Sequence, residues 1–121
     1  MKPLSKASAF LICVVFVQGV SAIAAQSSAR TIEIHAKRFS FTPAEITLQK
    51  GETVKLVVTS EDVTHSLVIP DLKVNAEATK DHPAEVTITP EKVGDFQGKC
   101  GHFCGEGHAT MKFVAHVTGD K

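Results

Sequence analysis

From residue 31 to residue 118 the apolar side chains recur at every second position, the repeat of a half-buried extended strand rather than of a helix. Ile32, Ile34 and Ala36 alternate with Glu33, His35 and Lys37. Ala44, Ile46 and Leu48 alternate with Glu45, Thr47 and Gln49, and Lys50-Gly51-Glu52 reads as a turn. Val54, Leu56 and Val58 follow, then Val63, His65, Leu67 and Ile69 on one face of the next run. Val86 and Ile88 form a short strand, and Val93 to Lys99 another, interrupted by Gly94 and Gly98. Met111 to Thr118 closes the series with Phe113, Ala115 and Val117 on one face. About seven short strands at this spacing predict an all-β antiparallel sandwich or barrel. No segment carries a long helical repeat, and Pro70 to Pro83 is the longest irregular stretch, with room for one helical turn.

The 121 residues suit one domain. With no Trp and no Tyr, the core has to come from Phe and the aliphatic residues. The N-terminal 24 residues differ from the rest. Lys2 and Lys6 precede an apolar run from Ala7 to Val20, and Ala22-Ile23-Ala24 offers a small-x-small cleavage pattern. Residues 1–24 therefore read as a secretory signal peptide, 25–30 as a polar lead-in and 31–121 as the domain. Taken from Ala7 to Ala25, the apolar run is only marginally long enough for a bilayer span, which takes about 20 residues, and with cleavage favoured no stable membrane insertion is expected afterwards. Cys13 falls inside the signal and follows Ile12, not the small residue a lipoprotein signal requires. A periplasmic or secreted location is expected. Without Lys2 and Lys6 the chain has 11 basic side chains against 13 acidic, and no basic cluster, which argues against a nucleic-acid partner.

The chemistry is concentrated in Cys100-Gly-His-Phe-Cys104-Gly-Glu-Gly-His108-Ala-Thr-Met111. Two thiols, two imidazoles (His102 and His108) and a thioether lie within twelve residues. Gly101, Gly105 and Gly107 permit the tight turns that aim several side chains at one point. Thiolate, imidazole and thioether suit copper, whereas magnesium and calcium take oxygen ligands. His65 is the second signal, because an imidazole on the apolar face of a strand needs a partner.

The pattern Cys-x3-Cys-x3-His-x2-Met, with Val63-Thr64-His65-Ser66-Leu67-Val68-Ile69-Pro70 upstream, resembles the dinuclear copper A (CuA) motif of cytochrome c oxidase subunit II and nitrous oxide reductase. The resemblance spans residues 31–118. It implies a cupredoxin-like Greek-key β-sandwich of seven or eight strands holding two copper ions. It further implies that Cys100 and Cys104 bridge the ions, that His65 and His108 bind one each, and that Met111 and the backbone carbonyl of His102 are weak ligands. Electron transfer rather than enzymatic catalysis is the function implied, with a cytochrome c or an oxidase or reductase as redox partner. The chain departs from the family in three ways: it has at most a signal segment where the oxidase subunit has membrane helices, it has Leu67 where the oxidase carries Trp, and it has His at 102 where Glu or Trp is usual.

Other readings of the same residues stay open at this point. The donors could serve a copper-handling protein that stores copper, confers copper resistance or, with a copper-delivery partner, delivers the metal to oxidase assembly. Cys104, His108, Met111 and His65 could make a mononuclear type 1-like site, with Cys100 or His102 modifying it. Cys100 and Cys104 could form a disulfide, or the two Cys and two His could hold zinc. His35 and His116 fall on polar strand faces and His82 precedes Pro83, so all three are expected at the solvated surface.

Overall fold

The computed structural model describes residues 29–119 together with Pro3 and Gly19. The signal-peptide reading of residues 1–24, including Cys13, and most of the lead-in lie outside the described residues. Among the described residues there are nine strands: β1 (Arg30–Lys37), β2 (Ser40–Thr42), β3 (Glu45–Gln49), β4 (Val54–Ser60), β5 (His65–Ile69), β6 (Val74–Ala78), β7 (Ala84–Ile88), β8 (Gly94–Cys100) and β9 (Lys112–Thr118). Single 3-10 turns occupy Pro70–Leu72 and His108–Thr110. The strands form a four-stranded sheet in the order β2-β1-β4-β7 and a five-stranded sheet in the order β3-β9-β8-β5-β6.

Each sheet is mixed, which corrects the antiparallel expectation. β1 pairs with β4 in parallel, Ile34 opposite Val58, and β3 pairs with β9 in parallel, Ile46 opposite Ala115. Alternation determines which side chains face inward but is indifferent to the direction of the neighbouring strand. β6 was concealed within the stretch read as irregular. Val74, Ala76 and Ala78 point inward and Asn75 and Glu77 outward, but alanine is a weak strand former and gives little periodic signal.

The inward faces make one core. Ile34, Leu56 and Val58 of the first sheet are fully buried, as are Leu48, Leu67, Ile69, Phe113 and Ala115 of the second. Each of these side chains other than Ala115 contributes roughly 1.5–3 kcal/mol of transfer free energy. Phe41 and Phe113 meet edge to face, ring centroids 5.9 Å apart at 79°.

His116 is not simply solvated. On the outer face of β9 its Nδ1 lies 2.6 Å from an Asp95 carboxylate oxygen on β8, and its Nε2 lies 3.3 Å from Glu45 on β3. The hydrogen bond with Asp95, then that with Glu45, raises its pKa above the ordinary histidine value. A raised folded-state pKa gives stability that is complete below the unfolded value, near 6.5, and is lost as pH rises through the folded value. Metal-free protein is therefore expected to lose a small increment of stability between pH 6 and pH 9. Denaturant midpoints measured across that range in wild type and His116→Gln check this, with the increment absent from the variant.

Candidate metal centre

Three adjacent strands of the five-stranded sheet deliver the donors to one end of the sandwich. His65 is the first residue of β5, Cys100 the last of β8, and Met111 immediately precedes β9. The pairing of Leu67 with Cys100 sets the register between β5 and β8. Backbone bonds from Gly101 N to Ser66 O (2.8 Å) and from Cys100 N to Met111 O (3.2 Å) tie the three approaches together. Gly101 is required by proximity, since a Cβ there would lie 2.4 Å from Val68 Cγ2. Gly101→Ala is expected to destabilise by about 1–3 kcal/mol, the usual cost of overpacking. Chemical denaturation checks this, and Val68→Ala in the same chain should recover most of the cost of the clash.

Between β8 and β9 the loop turns on Gly105, whose φ of 137° lies in a region that side-chain-bearing residues rarely adopt. The loop then closes through His108 N to Gly105 O (3.1 Å), Thr110 N to Gly107 O (3.0 Å) and Met111 N to His108 O (3.2 Å). This fold turns Cys104 and Met111 inward and leaves His108 half-buried.

The resulting chain of contacts is continuous. Cys100 Sγ lies 3.8 Å from His65 Nδ1 and 3.8 Å from Cys104 Sγ. Cys104 Sγ lies 3.7 Å from His108 Nδ1 and 3.9 Å from Met111 Sδ. The carbonyl oxygen of His102 lies 3.1 Å from Cys100 Sγ. The His102 imidazole does not join them; it is exposed, with Nδ1 3.0 Å from the Phe103 carbonyl. One ligand atom each from His65, Cys100 and Cys104 fall within 4.8 Å of one another, all three residues buried. Both cysteines are free thiols.

Sequence reasoning missed Asp62. Its Oδ1 lies 2.7 Å from His65 Nε2 and accepts the Val63 N–H at 2.7 Å, while Oδ2 accepts the Arg38 N–H at 2.8 Å. A carboxylate accepts only, so in the neutral ring Nε2 carries the proton and Nδ1 presents its lone pair toward Cys100. Such an outer carboxylate fixes both the tautomer and the orientation of a metal-binding histidine. Desolvation pushes the Asp62 carboxyl upward, but the hydrogen bonds from Arg38, His65 and Val63 outweigh it and hold the pKa down at about 2. The Asp-x-x-His spacing is the signal that could have revealed it.

Burial first, and then the hydrogen bond with Cys100, raises the Cys104 thiol to about 11. Without a cation it stays protonated at neutral pH, and a metal that takes the thiolate has to displace that proton. The donor set fits copper: thiolates, imidazoles and a thioether are soft or borderline ligands, and no carboxylate lies among them.

The fold and this donor cluster are those of a small copper-protein domain, and the comparisons agree. The chain belongs to the cupredoxin-like domain family, whose model matches residues 9–114. It is 39% identical over 70 residues to a probable cytochrome c oxidase subunit 2 of Streptomyces coelicolor, a match covering 58% of this chain and 22% of that protein. It is 35% identical over 86 residues to the nitrous-oxide reductase of Cupriavidus necator, covering 68% of this chain and 13% of that enzyme. The matches thus span about a fifth or less of these relatives. The periplasmic domain of subunit II of cytochrome oxidase from Bradyrhizobium japonicum shares the fold, with a TM-score of 0.69 at 22% identity over 75% of this chain and 85% of that one.

Proposed function

We propose that this chain is an exported electron carrier with a CuA-like pair of copper ions, residues 1–24 being removed as a signal peptide and residues 31–121 forming the carrier domain. The observation that carries the reading is the central position of the two thiols, 3.8 Å apart and flanked by one imidazole nitrogen each. Cys100 and Cys104 would hold the pair through their thiolates, His65 and His108 would each supply an imidazole nitrogen, and Met111 and the His102 carbonyl would be the weaker donors. When bound, the copper pair supplies one-electron redox chemistry. The protein holds the donors at the ends of three paired strands and in the loop between β8 and β9, buries the three sulfurs away from water, and keeps the His65 ring oriented through Asp62. Rigid placement limits the rearrangement that accompanies electron transfer. The partner in this reading is a cytochrome c, or an oxidase or reductase; the likeness to oxidase subunit 2 and nitrous-oxide reductase supports it.

A second reading, copper storage or delivery, is favoured by the loop's outer side, where Phe103 is 72% exposed and His108 is only half-buried. One experiment separates the two. Copper-loaded protein is cycled with a one-electron reductant and oxidant in the presence of a Cu(I) chelator. A carrier returns to its oxidised spectrum over repeated cycles with its copper retained. A delivery protein surrenders copper to the chelator at the first reduction.

A further inference from the structure

The turn between β1 and β2 touches both halves of the metal centre, although neither Arg38 nor Phe39 carries any metal-binding chemistry. The Arg38 N–H donates to Asp62 Oδ2 at 2.8 Å, and Asp62 in turn holds His65. The Arg38 side chain reaches the other half, its Nε donating to the Cys104 carbonyl at 3.1 Å across 66 residues of sequence. The Phe39 ring lies against the same loop. A Cβ added at Gly107 would come within 2.4–2.9 Å of that ring, and one at Gly105 within 2.9–3.0 Å.

The loop needs such an anchor. The backbone bonds of His108, Thr110 and Met111 are made to carbonyls of the loop itself. Among the described residues, the bond from Arg38 Nε is the one nitrogen–oxygen hydrogen bond that reaches residues 103–110 from outside the loop. A hydrogen bond from a charged donor is about twice as strong as a neutral one, and this one is partly shielded from water.

We propose that Arg38 is a positioning residue of the metal centre, clamping the Cys104 end of the ligand loop to the Asp62–His65 unit. Its guanidinium also places a positive charge beside the Cys104 ligand, which favours the reduced centre. The clamp stands on geometry alone; the effect on reduction rests on the proposed copper function.

The test uses Arg38→Ala, Arg38→Gln and Arg38→Lys, all of which keep the backbone bond to Asp62. In metal-free protein, amide exchange at His108, Thr110 and Met111 is expected to accelerate about tenfold in Arg38→Ala, with the amides of β1 and β4 unchanged and Arg38→Lys restoring part of the protection. In copper-loaded protein, the equilibrium constant for reduction by a fixed mediator is expected to fall several-fold in Arg38→Gln and to be largely kept in Arg38→Lys. Loop exchange at the wild-type rate in Arg38→Ala, or equal acceleration across β1 and β4, overturns the clamp. Should wild type fail to hold copper, the copper reading falls by itself, and the metal-free exchange still decides the clamp.

Discussion

On the proposed function, Cys100→Ser is expected to abolish two-copper binding while leaving the fold in place. Cys100 is 2% exposed, and its sulfur stands between His65 Nδ1, Cys104 Sγ and the His102 carbonyl. A serine hydroxyl is a hard donor that keeps its proton at neutral pH, so it cannot take the place of a bridging thiolate. It can still donate to the His102 carbonyl, so metal-free stability should stay within about 1 kcal/mol of wild type. Copper affinity is expected to fall by more than about 100-fold, beyond the range usual for loss of an outer partner. Metal analysis after dialysis, together with the visible spectrum, checks the loss. A coloured variant holding one copper would instead support the mononuclear site built from Cys104, His108, Met111 and His65.

The second large effect lies in the core. Phe113 is fully buried and packs edge to face on Phe41. It sits two residues after Met111, so the two side chains point to the same face, and a Cβ added at Gly98 would lie 3.1 Å from its own Cβ. Phe113→Ala is expected to cost about 3–5 kcal/mol, from lost transfer energy and from a cavity the sheet cannot fully close. Set against a total of roughly 5–15 kcal/mol, that is a substantial part of the stability of a domain this size. Denaturant unfolding of metal-free protein measures it, with Lys112→Ala, on the exposed face of the same strand, expected within about 0.5 kcal/mol of wild type. Because Met111 immediately precedes the same strand, Phe113→Ala should also weaken copper binding, though by less than Cys100→Ser.

The residues that were legible in the sequence are those whose signal is local. Cys100, Cys104, His108 and Met111 share one loop, and their spacing alone shows that one turn can gather them. His65 was legible because an imidazole interrupts an apolar face, and the structure buries it completely. At position 102 the side chain and the backbone part company. The carbonyl approaches Cys100, and the imidazole lies outside the cluster.

What was illegible depends on contacts distant in sequence or on residues with weak patterns. Arg38 meets Asp62 across 24 residues and Cys104 across 66, and no spacing rule relates them. The parallel pairings of β1 with β4 and β3 with β9 follow from strands alternating between sheets, which period-two patterning does not encode. β6 was missed because alanines mark two of its three inward positions. His116 was read as solvated, since its Asp95 and Glu45 partners come from two other strands.

The measurement that tests the dinuclear centre most directly is copper stoichiometry combined with electron paramagnetic resonance of the oxidised, copper-loaded protein. Two coppers per chain with a seven-line hyperfine pattern is the expected result, because one electron hole would then be shared equally between two ions held by Cys100 and Cys104. One copper per chain with a four-line pattern would contradict it and leave a mononuclear or copper-handling site in its place.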